Sequence, residues 1–129
     1  PQALTHGTIT CLNLDNSRHF YREVLGLDVV SPSRNVKPHY IKHPDTPWYV
    51  VSLERKPEMR TVLTPFQRYT VTVESADAVA EAHHWLKESS DSVGITDLGE
   101  IQEGGGAVSF LLSDPDRNWW EVTSPVPVN

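Results

Sequence analysis

The same order of secondary-structure signals runs twice along this chain, and that doubling restricts the fold more than any other feature. In the first half, Thr5 to Asn13 alternates loosely and carries Thr8, Ile9, Thr10, Cys11 and Leu12, which suits a strand. Asp15 or Asn16 can cap the helix that follows. From Ser17 to Leu25 the residues Phe20, Tyr21, Val24 and Leu25 share one helical face, and Gly26 sits where a left-handed C-terminal cap is wanted. Leu27 to Ser31 then reads as a strand and Pro32 to Pro38 as a polar loop. His39 to His43 and Trp48 to Glu54 read as two further strands about the turn Pro44-Asp45-Thr46-Pro47. The charged, proline-containing stretch from Lys56 to Pro65 is the connector.

After Pro65 the order begins again. Tyr69 to Val73 alternates as a strand, Ser75 is an N-cap with Asp77 in the first turn, and Val79, Ala82, Trp85 and Leu86 mark a second amphipathic helix. Ile95 to Leu98, Gly99 to Gln102, a hairpin tip at Gly104 to Gly106, Ala107 to Leu112 and a last strand from Trp119 to Thr123 complete the half. Laying Asn13 on Ser75 carries Ile9 onto Val71, Cys11 onto Val73 and His6 onto Arg68. Sequence identity between the halves is negligible, so the match is one of architecture. The expectation is an α+β fold of two paired strand-helix-three-strand modules with curved mixed sheets around a cleft. Residues 1–129 make a single domain, with modules near 4–56 and 67–124 and a connector near 57–66.

Composition removes several function classes. Seventeen acids against 11 bases give a formal charge of -6, and no basic run is long enough to track a phosphate backbone, so nucleic acid is not an expected partner. Cys11 is the only cysteine, which rules out an intrachain disulfide and a thiolate zinc site. No apolar run approaches about 20 residues, and the first residues lack the layout of a signal peptide. The reading is a cytoplasmic protein with no membrane partner.

Glu121 is the residue that stands out. It follows the turn Ser113-Asp114-Pro115-Asp116-Arg117-Asn118 inside the apolar strand Trp119-Trp120-Glu121-Val122-Thr123, where Trp120 and Val122 point the opposite way. A carboxylate there is costly unless it meets water, a cation or a hydrogen-bond donor.

Two signatures give the chain a resemblance to the vicinal oxygen chelate superfamily, which contains glyoxalase I, bleomycin-resistance proteins, fosfomycin-resistance enzymes and extradiol dioxygenases. One is His6 with its strand followed by Ser17-Arg18-His19-Phe20-Tyr21-Arg22-Glu23-Val24-Leu25-Gly26-Leu27. The other is the tail Asp114-Pro115-Asp116-Arg117-Asn118 with Glu121, similar to the family's Asp-Pro-Asp-Gly-Asn, two residues, then Glu. The resemblance implies a cleft holding a divalent ion (iron, nickel, zinc or manganese) bound by up to four side chains. It places His6 and Glu121 at the first and last ligand positions, Ser52 where glyoxalase I has an acid, and Arg68 where a second histidine is usual, with Gln67 one residue off. Arginine has no lone pair to offer a metal. An Arg68 turned toward Glu121 would instead make an anion-binding corner.

The remaining candidates have plainer readings. His39 and His43 on one strand lie roughly 13 Å apart at about 3.3 Å per residue, too far to share one ion. His83 and His84 sit mid-helix with one on the polar face. Trp48, Tyr49, Trp119 and Trp120 fill a core or subunit contact, or else wall a site for a flat substrate. Gly104 to Gly106 lacks the residues of a phosphate loop, and Cys11 reads as a small core residue.

The leading expectation is a metal-dependent enzyme of the glyoxalase or dioxygenase type acting on a small oxygenated molecule. Glu121 would be catalytic, His6 and Glu121 metal ligands, and Arg68, Trp48 and Trp119 substrate contacts. The alternative is a metal-free binding or sequestration protein like the bleomycin-resistance proteins. Either way the resemblance implies a homodimer that takes a small-molecule ligand.

Overall fold

The computed structural model describes residues 1–32, 38–60 and 63–125. The chain divides into two compact units, Pro1–Thr61 and Val62–Asn129. Most of the loop expected at Pro32 to Pro38 and part of the expected connector lie outside the described residues.

In the first unit, strand β1 (His6–Cys11) leads into helix α1 (Leu14–His19), and strands β2 (Asp28–Val30), β3 (His39–Lys42) and β4 (Tyr49–Glu54) follow. The helix starts earlier than its sequence marks. Asn13, not Asp15 or Asn16, is the cap, its side chain accepting from the Asn16 amide at 3.0 Å. The helix then widens into a π turn over Phe20–Val24, closed by Leu25 N donating to Phe20 O and Leu27 N to Tyr21 O. Phe20 and Tyr21 are thereby both fully buried.

The second unit repeats the order: β5 (Tyr69–Thr72), α2 (Ala76–Val93), β6 (Asp97–Leu98), β7 (Gln102–Gly104), β8 (Ala107–Ser113) and β9 (Trp119–Pro125). Strands β6 and β7 both pair with β8 and act as one strand interrupted at Gly99 to Ile101. The turn from β7 to β8 is made by Gly105 and Gly106, both at positive φ, which suits the tight hairpin expected there. Ser75 caps α2 as expected, and the helix buries Val79, His83 and Leu86. Trp85, expected on that face, is 47% exposed, and His83 takes its place.

The sheets share one topology. The strand order is β1-β4-β3-β2 in one and β5-β9-β8-β6 in the other, and the pair joining first and last strand is parallel in each. Parallel pairing needs a long crossover, which the helix and intervening strands supply. The core of each unit lies between its helix and one sheet face. Ile9, Cys11, Val50 and Ile41 fill it in the first, with Val108, Phe110, Leu112, Trp120 and Val122 in the second. Each such aliphatic or aromatic side chain contributes about 2 kcal/mol by leaving water. The architecture is α+β. Among the described residues no helix is long and apolar enough to cross a membrane.

Candidate functional site

Side chains alternate along a strand, so residues that do not pack on the helix are committed to the other face. On β9 the buried residues are Trp120, Val122 and Ser124, while Trp119, Glu121 and Thr123 are half-buried on the helix-free face. The register sets Thr70 of β5 beside Glu121, and Arg68, just ahead of β5, one step beyond. Three residue types with complementary chemistry are thus gathered by sheet pairing alone. The Arg68 guanidinium Nη2 lies 3.5 Å from Glu121 Oε2, and the Thr70 hydroxyl donates to Glu121 Oε1 at 3.3 Å. Arg68 Nη1 also donates to the Pro65 carbonyl at 3.0 Å, which ties the cation to its own turn.

The corresponding face of the first unit is aromatic. His6 stacks on Tyr49 with ring centroids 5.2 Å apart, and Tyr49 stacks on Tyr40 at 4.8 Å. His6 Nδ1 and the Thr5 hydroxyl share a hydrogen bond of 2.9 Å. Within its sheet Thr8 pairs with Val51 just as Thr70 pairs with Glu121, so Val51 is the positional counterpart of Glu121. Ser52 is therefore one residue away from where an acid would match. Its side chain is buried on the helix side, sharing a hydrogen bond of 2.9 Å with Ser17 Oγ and donating to Cys11 Sγ at 3.5 Å. Strand register across the loop carrying β2 and β3 sets this parity, and the sequence gives no measure of it.

Behind Glu121 lies the turn that aims it. The buried Asp114 carboxylate accepts from the amides of Asp116 and Asn118, both at 2.8 Å, and from Asn118 Nδ2 at 2.9 Å. Asp114 N donates to Asn118 O at 3.0 Å, closing the loop. Arg117 takes φ +64°, the left-handed conformation that glycine accepts without strain. The Gly expected from the resemblance is replaced by Arg, yet the backbone keeps its shape.

The other candidates do not join these groups. Trp48 is half-buried one residue ahead of β4, on the parity of Val50 and Ser52, while Tyr49 occupies the helix-free face. Gln67 Oε1 accepts from the Thr64 amide at 3.2 Å within its own turn. His43 Nδ1 accepts from the Asp45 amide at 3.1 Å in the β3–β4 turn. His39 pairs with Ser52 across the sheet on the α1 side. Burial, and then the nearby Arg18 guanidinium, hold its imidazole below the ordinary histidine pKa, against the pull of Asp15 and Glu54. His83 Nε2 bonds the Gly99 carbonyl at 2.8 Å and its ring meets Phe110 edge-on, a structural role, while His84 is exposed. The ring stack through Tyr40 was not foreseen. Alternation of Tyr40 with the buried Ile41 is the one signal that could have placed it.

The divalent ion implied by the resemblance needs several imidazole or carboxylate donors converging on one point. Among the described residues no group of three or more His, Cys, Asp and Glu gathers in that way. Glu121 already faces a guanidinium, and its counterpart in the first unit is a valine. This donor set does not fit the ion.

Compared with curated protein sequences, the chain matches none. Solved structures give clear matches of fold. The fosfomycin resistance protein FosX from Listeria monocytogenes matches with a TM-score of 0.73 at 14% identity, over 98% of this chain and 95% of that one. TnmS3, an antibiotic binding protein from Streptomyces sp. CB03234, gives 0.69 at 16% identity over 97% of both chains. Lactoylglutathione lyase from Agrobacterium tumefaciens gives 0.68 at 19% identity, over 96% of this chain and 94% of that one. The sequence itself matches the family profile over residues 3–122, nearly its whole length, and the chain belongs to the glyoxalase/bleomycin resistance protein/dioxygenase superfamily.

Proposed function

We propose that the chain binds a small organic molecule without a metal ion, on the helix-free face of the sheet of its second unit. The contact between Arg68 and Glu121 carries this reading. A divalent ion on Glu121 would sit within a few ångströms of a permanent cation, and repulsion there opposes binding where imidazole would favour it. In this reading Arg68 contacts the ligand's charge, Glu121 orients Arg68, and Trp119 on the same face supplies flat apolar surface. TnmS3, which shares the fold, is an antibiotic binding protein, so the fold fits sequestration as well as catalysis.

The ligand-bearing form is a homodimer. Leu4 and Phe66 each stand two residues ahead of the matched positions His6 and Arg68, and they are 91% and 92% exposed. Large apolar side chains left in water at matched positions are what a second copy would cover. Light scattering should give twice the chain mass, and Phe66→Ser should move it toward one.

The test of the binding reading uses protein purified without chelator. Metal analysis should find no stoichiometric transition ion, and quenching of tryptophan fluorescence by a panel of small aromatic acids and amines should be the same with EDTA or added manganese. Retention of both His6 and Glu121 favours the metal-dependent enzyme instead. A near-stoichiometric ion lost in Glu121→Ala would establish that second reading and end the first.

A further inference from the structure

We infer that the ligand recognised by the second unit is a zwitterion, carrying an anionic and a cationic group a few ångströms apart beside a flat apolar body. The inference rests on the metal-independent binding reading and specifies the charge of its ligand. On β5, β8 and β9 the helix-free face of this unit otherwise presents hydroxyl and apolar side chains, with Thr70, Thr72, Leu111 and Trp119 around the pair. Among the described residues of β5, β8 and β9, Arg68 and Glu121 are the charged pair on this face, and the Asp97 carboxylate lies at the edge strand, accepting from Ser113 Oγ at 3.0 Å.

The pair is made loosely. Its one N to O contact is 3.5 Å and the Thr70 bond to the other carboxylate oxygen is 3.3 Å, against about 2.8 Å for a strong charge-assisted bond. At side-chain exposures of 35% and 21%, such a contact adds little to folding. Both partners keep hydrogen-bonding capacity. A guanidinium has five N–H donors, and among the described residues Arg68 directs donors to Pro65 O and Glu121. Its link to Pro65 holds the cation in place whether or not Glu121 is engaged.

Charge complementarity then selects the occupant. A simple anion that docks on Arg68 comes close to the Glu121 carboxylate, and a simple cation on Glu121 comes close to Arg68. Each gains one attraction and meets one repulsion of similar size. A ligand bearing both charges, set antiparallel to the pair, meets an opposite charge at each end and leaves none uncompensated. Trp119 lies on the same face and offers a ring surface for the ligand's body, which also excludes water from the charges.

Three probes sharing one ring separate the possibilities: tryptophan (zwitterion), tryptamine (cation) and indole-3-propionate (anion). Each is titrated calorimetrically against the whole chain in EDTA at low salt. Tryptophan should bind at least about tenfold more tightly than either singly charged analogue, a margin reduced by solvent screening at this half-exposed site. Glu121→Gln should abolish that margin and favour indole-3-propionate, and Arg68→Gln should favour tryptamine, with circular dichroism confirming that each variant folds. The double exchange Arg68→Glu with Glu121→Arg should restore preference for tryptophan. Equal binding of all three probes overturns the zwitterion inference and leaves metal-independent binding standing, as does a ranking unchanged in both single variants. Binding that appears only when manganese replaces EDTA overturns the binding reading itself. Absence of binding by every probe up to about 10 mM overturns the zwitterion inference as well.

Discussion

Replacing Asp114 by alanine should cost about 3 kcal/mol of stability, and the structure shows where that figure comes from. The side chain is 1% exposed, and its two oxygens accept from two backbone amides and the Asn118 side chain at 2.8 to 2.9 Å. Truncation leaves those donors without their acceptor, and each buried donor stranded in this way costs about 1–3 kcal/mol. Against that, the folded state no longer has to bury a carboxylate, which returns part of the loss, and water can enter the space left behind. A net loss near 3 kcal/mol corresponds to a fall in Tm of about 10 °C for a chain of this size. Asparagine keeps one acceptor and, with Asn118 rotated by half a turn, rebuilds an amide pair, so Asp114→Asn should lose only about 1 kcal/mol. Urea unfolding followed by tryptophan fluorescence reads both, since Trp119 and Trp120 adjoin the turn. A loss below about 0.5 kcal/mol in the alanine variant would show that the turn does not depend on this carboxylate.

Further outcomes follow from individual positions. Arg117→Gly should stabilise the fold by about 0.5–1 kcal/mol, because relief of a left-handed residue outweighs the added freedom of the unfolded chain, and urea midpoints measure it. The lowered pKa of His39 sets a pH dependence: as pH falls below 6.5 the unfolded chain takes up this proton before the folded one does. The His39 contribution is therefore intact above that value, lost progressively down to the lower folded pKa, and constant below it; His39→Gln should flatten that part of a stability profile. Ser52→Glu, which sets an acid one residue from the counterpart of Glu121 and on the helix side, should lose about 3–5 kcal/mol through a buried carboxylate and gain no metal affinity, by thermal unfolding and metal titration. Gly94→Ala should lose about 1–2 kcal/mol in the same unfolding assay, since φ is +79° and the new methyl would meet Pro115 Cγ at 3.2 Å.

Much of the fold was legible because its signals are local. Ser75 caps α2, paired glycines make the β7–β8 turn, and Asp114 to Asn118 announces the last strand. Where a local rule failed, packing decided. Asn13 outcompetes Asp15 as the cap because the helix begins at the buried Leu14, and His83 displaces Trp85 from the buried face because a ring nitrogen can bond Gly99 O. The site was legible only in part. The resemblance put Arg68 and Glu121 at ligand positions where the two could meet, but it set the acid position of the first unit at Ser52 when register gives Val51. One residue of slip turns a side chain to the other face, and nothing local in the sequence reports it.

The two units also show how one scaffold can carry unlike surfaces. Residues on the helix side of each sheet are held by packing: Ile9, Cys11 and Val50 in one unit do for α1 what Trp120, Val122 and Phe110 do for α2. Substitution there costs cavity or strain energy, so that parity is constrained by stability. The alternate parity has no such partner in its own unit. Matched positions on it hold His6 and Arg68, Thr8 and Thr70, Tyr49 and Trp119, and Val51 and Glu121. The threonines agree and the rings agree in kind, while the other two pairs differ in charge. Both changes fall in the same unit and are opposite in sign, so they compensate each other where either alone would leave a bare charge on a strand face. The second unit thus differs from the first at these matched positions by one cation and one anion that offset each other, so that the surroundings of either charge include the other.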